Sequence, residues 1–484
     1  MRDDEIRGIL RDTNPWWAAR LRGTSPTSWT VSDVALRARA NWDMGYRTPI
    51  LSDVASEPLS NGLFVLRGPR RVGKSVALKD LIVDLLERDD VTPMQVLYFP
   101  ADTLTSRDLR RYFAIGRSLT STIGDRRRVW IIDEVTSVPE WTSMLKELRD
   151  NTPLADDCVI VTGSSAADTN QAVKDLGAGR TGDANRPFRT LHPMSFADFV
   201  RLRQPEIQLP DLLGPSEILS DQARDVFETW SVLTPDLDTL WQDYLEIGGF
   251  PRAVAEHHRL GGVSEDFLDE LAAWLKTDID PTAPAESVDL LLNQLVNDTA
   301  SPVNARNTAE VLGIGRDVFL RRVRRMQNTY AVLSCPRRRD SHIVPGAQSK
   351  LYLTDPLLAQ LPSRRRPGLG IPDMSRQSET ALAVSLARAI DATRPGRWED
   401  GDTVGYHRTN SGQEVDFAPI PIAVSEGTSQ TVPIESKWVS QGWRREAQTL
   451  HTAYEEGILA TKDITDLTGS VWAVPAPILA VALH

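Results

Sequence analysis

Gly68-Pro69-Arg70-Arg71-Val72-Gly73-Lys74-Ser75 follows the apolar run Leu63-Phe64-Val65-Leu66 and precedes VALKDLIVDLLER, whose apolar residues have helical spacing. The stretch satisfies G-x-x-x-x-G-K-[ST], and a strand handing over to a helix is the context in which that spacing carries meaning. Gly68 and Gly73 let the backbone turn its N–H groups toward phosphate oxygens, with Pro69, Arg70, Arg71 and Val72 as the loop between them. Lys74 supplies a point charge for the β and γ oxygens and Ser75 a hydroxyl for Mg²⁺. The pattern predicts binding of a nucleoside triphosphate; the competing reading is a chance glycine-rich turn. No guanine-reading N-K-x-D segment follows, which favours ATP.

Moving outward, VLYF (96–99), VWIID (129–133) and CVIVTG (158–163) are short apolar runs separated by helical windows. Strands alternating with helices predict an open α/β sheet with ligands at the carboxyl ends of the strands. The second run ends in Asp133 and Glu134. Asp133 is placed to hold Mg²⁺ through its water shell, and Glu134 to orient and polarise the attacking water. Alone, an acidic pair after a strand is an ordinary surface feature; joined to the upstream loop it completes a hydrolytic site. The third run continues as V-T-G-S-S-A, bringing Thr162, Ser164 and Ser165 to the same sheet edge. A hydroxyl there, Ser164 first, could sense the γ-phosphate or hold the water, or the serines could cap the next helix. Arg180 and Arg186 lie in the segment GAGRTGDANRPF. Arg180 is the preferred candidate to approach the γ-phosphate, within the chain or across a subunit boundary, although an exposed arginine needs no catalytic reason.

A chain of 484 residues is too long for one ordinary core and predicts about three domains. Cys158 and Cys335 are far apart without local His or Cys partners, which argues against a disulfide framework or structural zinc. The start MRDDEIRGILRDTNPWW lacks an apolar signal segment and no run approaches membrane-spanning length, so a cytoplasmic protein without a membrane partner is expected. The formal net charge of -11 argues against nucleic acid coating the whole surface, yet leaves room for a local basic patch.

The expected organisation is an N-terminal helical extension over 1–60, packed through Trp16, Trp17 and Trp29, then a P-loop core over 61–200. A polar helical region over 201–300 is broken at GGFPRAV. Residues 301–361 read as two helices about a glycine turn with a strand beyond, similar to a winged helix. Its second helix carries Arg316, Arg321, Arg322, Arg324 and Arg325, either for DNA recognition or as a solvated face. PSRRRPGLGIPDM (362–374) reads as a linker, and 375–484 as a small α/β domain.

The order GPRRVGKS, IIDE, VTGSSA, GAGR, LHPMSFADF and YLEIGGFPRAV resembles the prokaryotic AAA-type ATPases that carry a C-terminal DUF4143 domain, over about 60–484. The resemblance implies an α/β protein with a P-loop ASCE/AAA-type ATPase core, a helical and winged-helix middle region, and a C-terminal restriction-endonuclease-like α/β domain. Arg71 departs from the polar residue of many relatives, without threatening the loop mechanism.

The last domain holds a second constellation. Glu379 lies on a predicted helix, Asp416 on a strand in S-G-Q-E-V-D-F, and Glu435 and Lys437 on one side of the strand V-P-I-E-S-K-W. Asp416, Glu435 and Glu379 could hold one or two Mg²⁺ ions, with Lys437 orienting water and stabilising phosphate charge. Asp416, Glu435 and Lys437 resemble the PD-(D/E)XK nuclease motif, although Val415 stands where its leading Pro belongs. A cross-strand ion pair or a buried structural network is the alternative. Trp438, Trp443, Arg444 and Arg445 suit base stacking and phosphate contact, or helix packing. The composite expectation is an ATP- and Mg²⁺-dependent ATPase acting on DNA, with a possible C-terminal nuclease site. The alternative is an ATP-dependent switch for a protein partner, or a homo-oligomer, with an inactive nuclease-like docking domain.

Overall fold

The computed structural model describes residues 1–484 except 165–174, 178, 341, 395, 399, 425–426 and 484. The predicted Ser165 therefore lies outside the described residues. The chain divides into two compact units, Met1–His192 and Pro193–His484, where length alone suggests about three domains.

In the first unit, β1 (Leu63–Arg67), β2 (Val96–Pro100), β3 (Val129–Asp133), β4 (Cys158–Gly163) and β5 (Phe188–Thr190) form a sheet in the order β2-β3-β4-β1-β5. Every pairing is parallel. Both faces are covered, which is why β1, β3 and β4 are near-continuous apolar runs and not alternating ones. One face packs against α1 (Asp3–Thr13), α5 (Ser106–Leu119) and α6 (Trp141–Asn151), around Phe99, Phe113, Trp130 and Leu145. The other meets α4 (Lys74–Leu86), which starts directly after the glycine-rich loop.

The insertion of β4 between β1 and β3 decides the site. Register pairs Arg67 with Gly163 and Ile132 with Val161, so these three strands end together. The loop after β1, the Asp133-Glu134 pair after β3 and Thr162 to Ser164 at the end of β4 therefore share one sheet edge.

β2 is an edge strand, and side chains from the N-terminal segment complete it. Asn14 accepts from the Tyr98 N–H at 2.6 Å and donates to its carbonyl at 2.8 Å. The indoles of Trp16 and Trp17 donate to the Val96 carbonyl at 3.0 and 2.9 Å. Trp29 packs on Trp16 with ring centroids 5.2 Å apart.

The second unit opens with helices, among them Asp221–Trp230, Thr234–Ile247, Pro251–Leu260, Glu265–Ile279 and Glu286–Asp298. The predicted break falls between Ile247 and Pro251. There the buried Asp355 carboxylate accepts from the Gly249 N–H at 2.8 Å and the Leu357 N–H at 2.9 Å. Helices Ala305–Val311 and Arg316–Asn328 follow, then β6 (Val332–Arg339), β7 (His342–Ile343) and β8 (Ser349–Leu353), with β8 antiparallel to β6. The segment read as a linker over 362–374 is irregular over 366–373, but its first residues are helical. Helix Pro356–Arg365 runs through Pro362 and is buried over most of its length, and Arg365 and Arg366 both pair with Asp289, at 3.2 and 2.7 Å. Helix formation wins because the arginines find carboxylate partners on neighbouring helices.

After helix Met374–Thr393 come β9 (Tyr406–Arg408), β10 (Glu414–Val415) and the hairpin of β11 (Pro421–Val424) and β12 (Gly427–Gln430). β13 (Ile434–Ser436), β14 (Gly457–Thr461) and β15 (Val471–Pro475) form a parallel sheet. Among the described residues no helix is long and apolar enough to cross a membrane.

Candidate nucleotide site and C-terminal carboxylate cluster

The loop of the first unit is shaped by two glycines. Gly68 has φ +140°, and a Cβ there would stand 2.0 Å from the Leu191 carbonyl oxygen. Gly73, at φ +99°, caps α4 and faces open space. A backbone that turns this way at the start of a helix presents N–H groups to an anion, aided by the helix dipole. Lys74 lies back across the loop, its amine donating to the carbonyls of Gly68 and Pro69 at 2.8 Å each. Pro69 and Val72 are buried, whereas Arg70, Arg71 and Ser75 are exposed.

β3 and β4 are cross-linked where they end. The Thr162 hydroxyl donates to Asp133 Oδ1 at 2.6 Å and accepts from the Glu134 N–H at 2.8 Å. Glu134 takes the left-handed conformation, φ 54° and ψ 46°, which costs a non-glycine residue roughly 1–2 kcal/mol and persists only where neighbours enforce it. Those neighbours are Ser164, whose hydroxyl donates to Glu134 Oε1 at 2.7 Å, and Thr136, whose hydroxyl donates to the same oxygen at 3.2 Å. Gly163 permits this: a Cβ there would fall 2.1 Å from Thr136 Cγ2. Ser164 thus holds the carboxylate predicted to polarise water. The Ser75 hydroxyl and Asp133 carboxylate are hard oxygen donors of the kind Mg²⁺ takes, so the residues fit that ion.

Arg180 is not brought to this edge. Its guanidinium bonds Asp150 at 2.9 and 3.1 Å, and the next residues run along the amino end of β1, where the Thr181 carbonyl accepts from the Leu63 N–H. The site's carboxylates lie at the opposite ends of the strands.

In the second unit, Glu379, Asp416, Glu435 and Lys437 do meet. Lys437 Nζ is 2.6 Å from Glu435 Oε1 and 4.0 Å from Asp416 Oδ2. Glu435 Oε2 accepts from the Asp416 N–H at 3.0 Å, and Asp416 Oδ2 from the Ser436 N–H at 3.0 Å. Three further residues, Lys350, Tyr352 and Glu414, belong to the cluster and were not foreseen. Lys350 of β8, with a fully buried side chain, places its ammonium 2.8 Å from Asp416, 2.8 Å from Glu414 and 3.2 Å from Glu379. Tyr352, two residues on and on the same strand face, donates to Glu379 at 2.6 Å. The polar alternation of Ser349-Lys350-Leu351-Tyr352-Leu353 was the available signal.

For the C-terminal carboxylates alone, this differs from the expected metal set. Lys350 occupies the space among Glu379, Glu414 and Asp416 where a cation would bind, and among the described residues no group of three or more His, Cys, Asp or Glu is placed to hold a metal ion. Glu379, Asp416 and Glu435 as they stand do not fit Mg²⁺. Trp443 is buried in a small core with Val415, Leu450 and Leu459, and Arg444 pairs with Asp466 at 2.5 Å. Packing accounts for that tryptophan.

Burial and the Asp416 charge push Glu435 up to about 8 and Glu379 to about 7. Burial also opposes ionisation of Asp416, but the Lys350 and Lys437 ammoniums outweigh it and hold that carboxyl below its usual range. A carboxyl raised on folding adds stability at low pH, and loses it as pH climbs from its ordinary value of 4.5 through 8. The thermal midpoint is therefore expected to fall between about pH 5 and pH 8 more steeply in the parent than in Glu435→Gln, which cannot ionise. Melting curves across that range, parent beside variant, check this; parallel slopes would remove Glu435 from the effect.

On helix Arg316–Asn328 the arginines divide. Arg322 is buried against Asp280 at 3.0 Å and Arg325 donates to the Ile279 carbonyl at 2.8 Å. Arg316, Arg321 and Arg324 are exposed, as is Arg325 apart from its bond to Ile279.

Residues 60–200 match the profile of an AAA domain. Similar solved structures include the Walker-type ATPase of Pyrococcus abyssi, at 13% identity and TM-score 0.36, covering 62% of this chain and 90% of that one. The Aeropyrum pernix ORC2 protein, in ADPNP-ADP complexes, shares 13% identity at TM-score 0.34, covering 67% and 97%. The Thermotoga maritima RuvB Holliday junction branch migration motor shares 14% at TM-score 0.27, covering 59% and 86%. No curated protein matches the sequence significantly.

Proposed function

We propose, from the premise that residues 60–200 are an AAA-type ATPase domain, that the protein uses Mg²⁺-dependent ATP hydrolysis to act on DNA and grips it without cutting it. The observation that carries the ATPase reading is the shared sheet edge of the glycine-rich loop, Asp133 and the Glu134 carboxylate held by Ser164. The loop N–H groups and Lys74 would bind and orient the phosphates. Ser75 and Asp133 would hold Mg²⁺, which supplies charge neutralisation at the transferring phosphoryl group when bound. Glu134 would accept the proton of the attacking water, its carboxylate kept in place by Ser164 and Thr136. Arg180 would serve a nucleotide only in a neighbouring copy, given its place along the amino ends of the strands.

Support for DNA comes from Arg316, Arg321 and Arg324, exposed on the second helix of a helix-turn-helix pair backed by β6 and β8, the arrangement expected of a winged helix. Support for gripping without cutting comes from Lys350 within the C-terminal carboxylates. That same neutralised cluster also favours a second reading, a nucleotide-dependent switch whose nuclease-like half docks a protein partner.

ATP turnover without nucleic acid, with duplex and with single-stranded DNA separates the two, with gels of the same reactions read for cleavage. The expected result is stimulation by DNA and no cutting. In Arg316→Ala/Arg321→Ala/Arg324→Ala, affinity falls and the slope of log K against log salt shrinks by up to about 3. Turnover indifferent to DNA transfers the reading to the protein-directed switch.

A further inference from the structure

Lys79 is a buried lysine that the hydrolytic reading leaves unused. It sits on α4 four residues after Ser75, hence on the same helical face, one turn from the hydroxyl assigned to Mg²⁺. Its ammonium is 3.3 Å from Asp33 Oδ2 and 3.5 Å from the centroid of the Tyr98 ring, with the Trp29 ring at 5.5 Å. Burial lowers its pKa; Asp33 acts against that most strongly and the Asp133 carboxylate adds to it, so the charge on Lys79 leans chiefly on one residue of the N-terminal segment. Asp33 is itself fixed as a helix cap, accepting from the N–H groups of Ala35 and Leu36 at 3.0 Å each.

Tyr98 is gripped from both directions. Asn14 of the same segment satisfies both of its backbone groups, and Lys79 covers its ring. Its hydroxyl reaches across to Asp133 Oδ2 at 3.4 Å, while Thr162 holds the other oxygen of that carboxylate at 2.6 Å. Thr162 anchors one oxygen firmly, and the tyrosine hydroxyl meets the other through a long, weak contact, so the tyrosine biases how the carboxylate turns about its anchored oxygen. The residues that set the tyrosine, Asn14 and Asp33, lie outside residues 60–200, in a part of the chain that contributes no phosphate-loop residue.

We propose that Asp33, Lys79 and Tyr98 are positioning residues for Asp133, and that through them the N-terminal segment sets how well the ATPase site uses Mg²⁺. The coupling rests on the assignment of Asp133 as a Mg²⁺ residue. A partner or modification that shifts the segment would act on the metal-dependent step without touching the phosphate loop.

The test is steady-state ATP hydrolysis by the full chain at saturating ATP, titrated with Mg²⁺, with the thermal midpoint measured alongside. Tyr98→Phe keeps the ring under the ammonium and removes only the hydroxyl. It is expected to raise the Mg²⁺ concentration for half-maximal turnover by about fivefold, with KM for ATP and the thermal midpoint close to the parent's. Asp33→Asn and Lys79→Met should shift the Mg²⁺ requirement in the same direction, and Lys79→Arg, which keeps a cation on the ring, should restore it toward the parent. Asp33→Asn/Tyr98→Phe should be no worse than the stronger single variant, since both act through one contact. Unchanged Mg²⁺ dependence in Tyr98→Phe, with Asp33→Asn lowering only the thermal midpoint, would overturn the proposal. Lys74→Ala in the same series distinguishes the failure beneath it: parental turnover there would remove the nucleotide site itself, and the coupling with it.

Discussion

Glu134→Gln is expected to slow ATP hydrolysis by at least about 100-fold while ATP remains bound, the range general-base catalysis contributes. Glutamine is isosteric, so it can still accept from Ser164 and Thr136 through its amide oxygen and keep the left-handed turn in place. What it loses is the ability to take the proton of the attacking water. Lys74→Ala should behave differently, because that ammonium serves the phosphates and not the water; binding itself should weaken. Single-turnover hydrolysis beside equilibrium binding of a fluorescent ATP analogue distinguishes the pair. Parental turnover in Glu134→Gln would end the role assigned to that carboxylate.

Lys350→Met is expected to cost about 3–5 kcal/mol of stability, the penalty for removing one partner of a buried ionic group. The side chain is fully buried, and its loss leaves Glu379, Glu414 and Asp416 facing one another without a counter-ion. Methionine fills similar volume, so the loss reports charge and not a cavity. Mg²⁺ or Mn²⁺ should return part of the lost stability to the variant and leave the parent unaffected, since a divalent ion can take the vacated place among three carboxylates. Urea unfolding midpoints with and without the ion measure this. A variant as stable as the parent would mean that the carboxylates had taken up protons or water at little cost.

The legible part of the fold was the part written in local pattern. The loop at 68–75, the apolar strands and the acidic pair after β3 each declare themselves within a dozen residues, and β1 to β4 formed where their apolar runs placed them. The order of the strands was not legible residue by residue, because β4 reaches its place between β1 and β3 through pairings distant in sequence. With it went the role of Ser164, which depends on where Glu134 stands. Lys350 escaped for the same reason: it lies 66 residues before Asp416 and 29 before Glu379, and only tertiary structure brings the three together. Arg180 shows the opposite hazard. A glycine-rich setting suggested reach, while a partner as ordinary as Asp150 holds it elsewhere.

The completion of β2 by side chains has a consequence for how the ATPase domain can be handled. A hydrogen-bonding row satisfied by Asn14, Trp16 and Trp17 offers no template for a further strand. A fragment begun at residue 60, as the matched domain would suggest, uncovers that row beside an apolar surface, and strand-to-strand aggregation follows from such an edge. The first sixty residues are thus expected to act as a solubility shield as well as a packing layer, and a fragment that keeps α1 and Asn14 to Trp17 is expected to stay in solution where one begun at residue 60 does not.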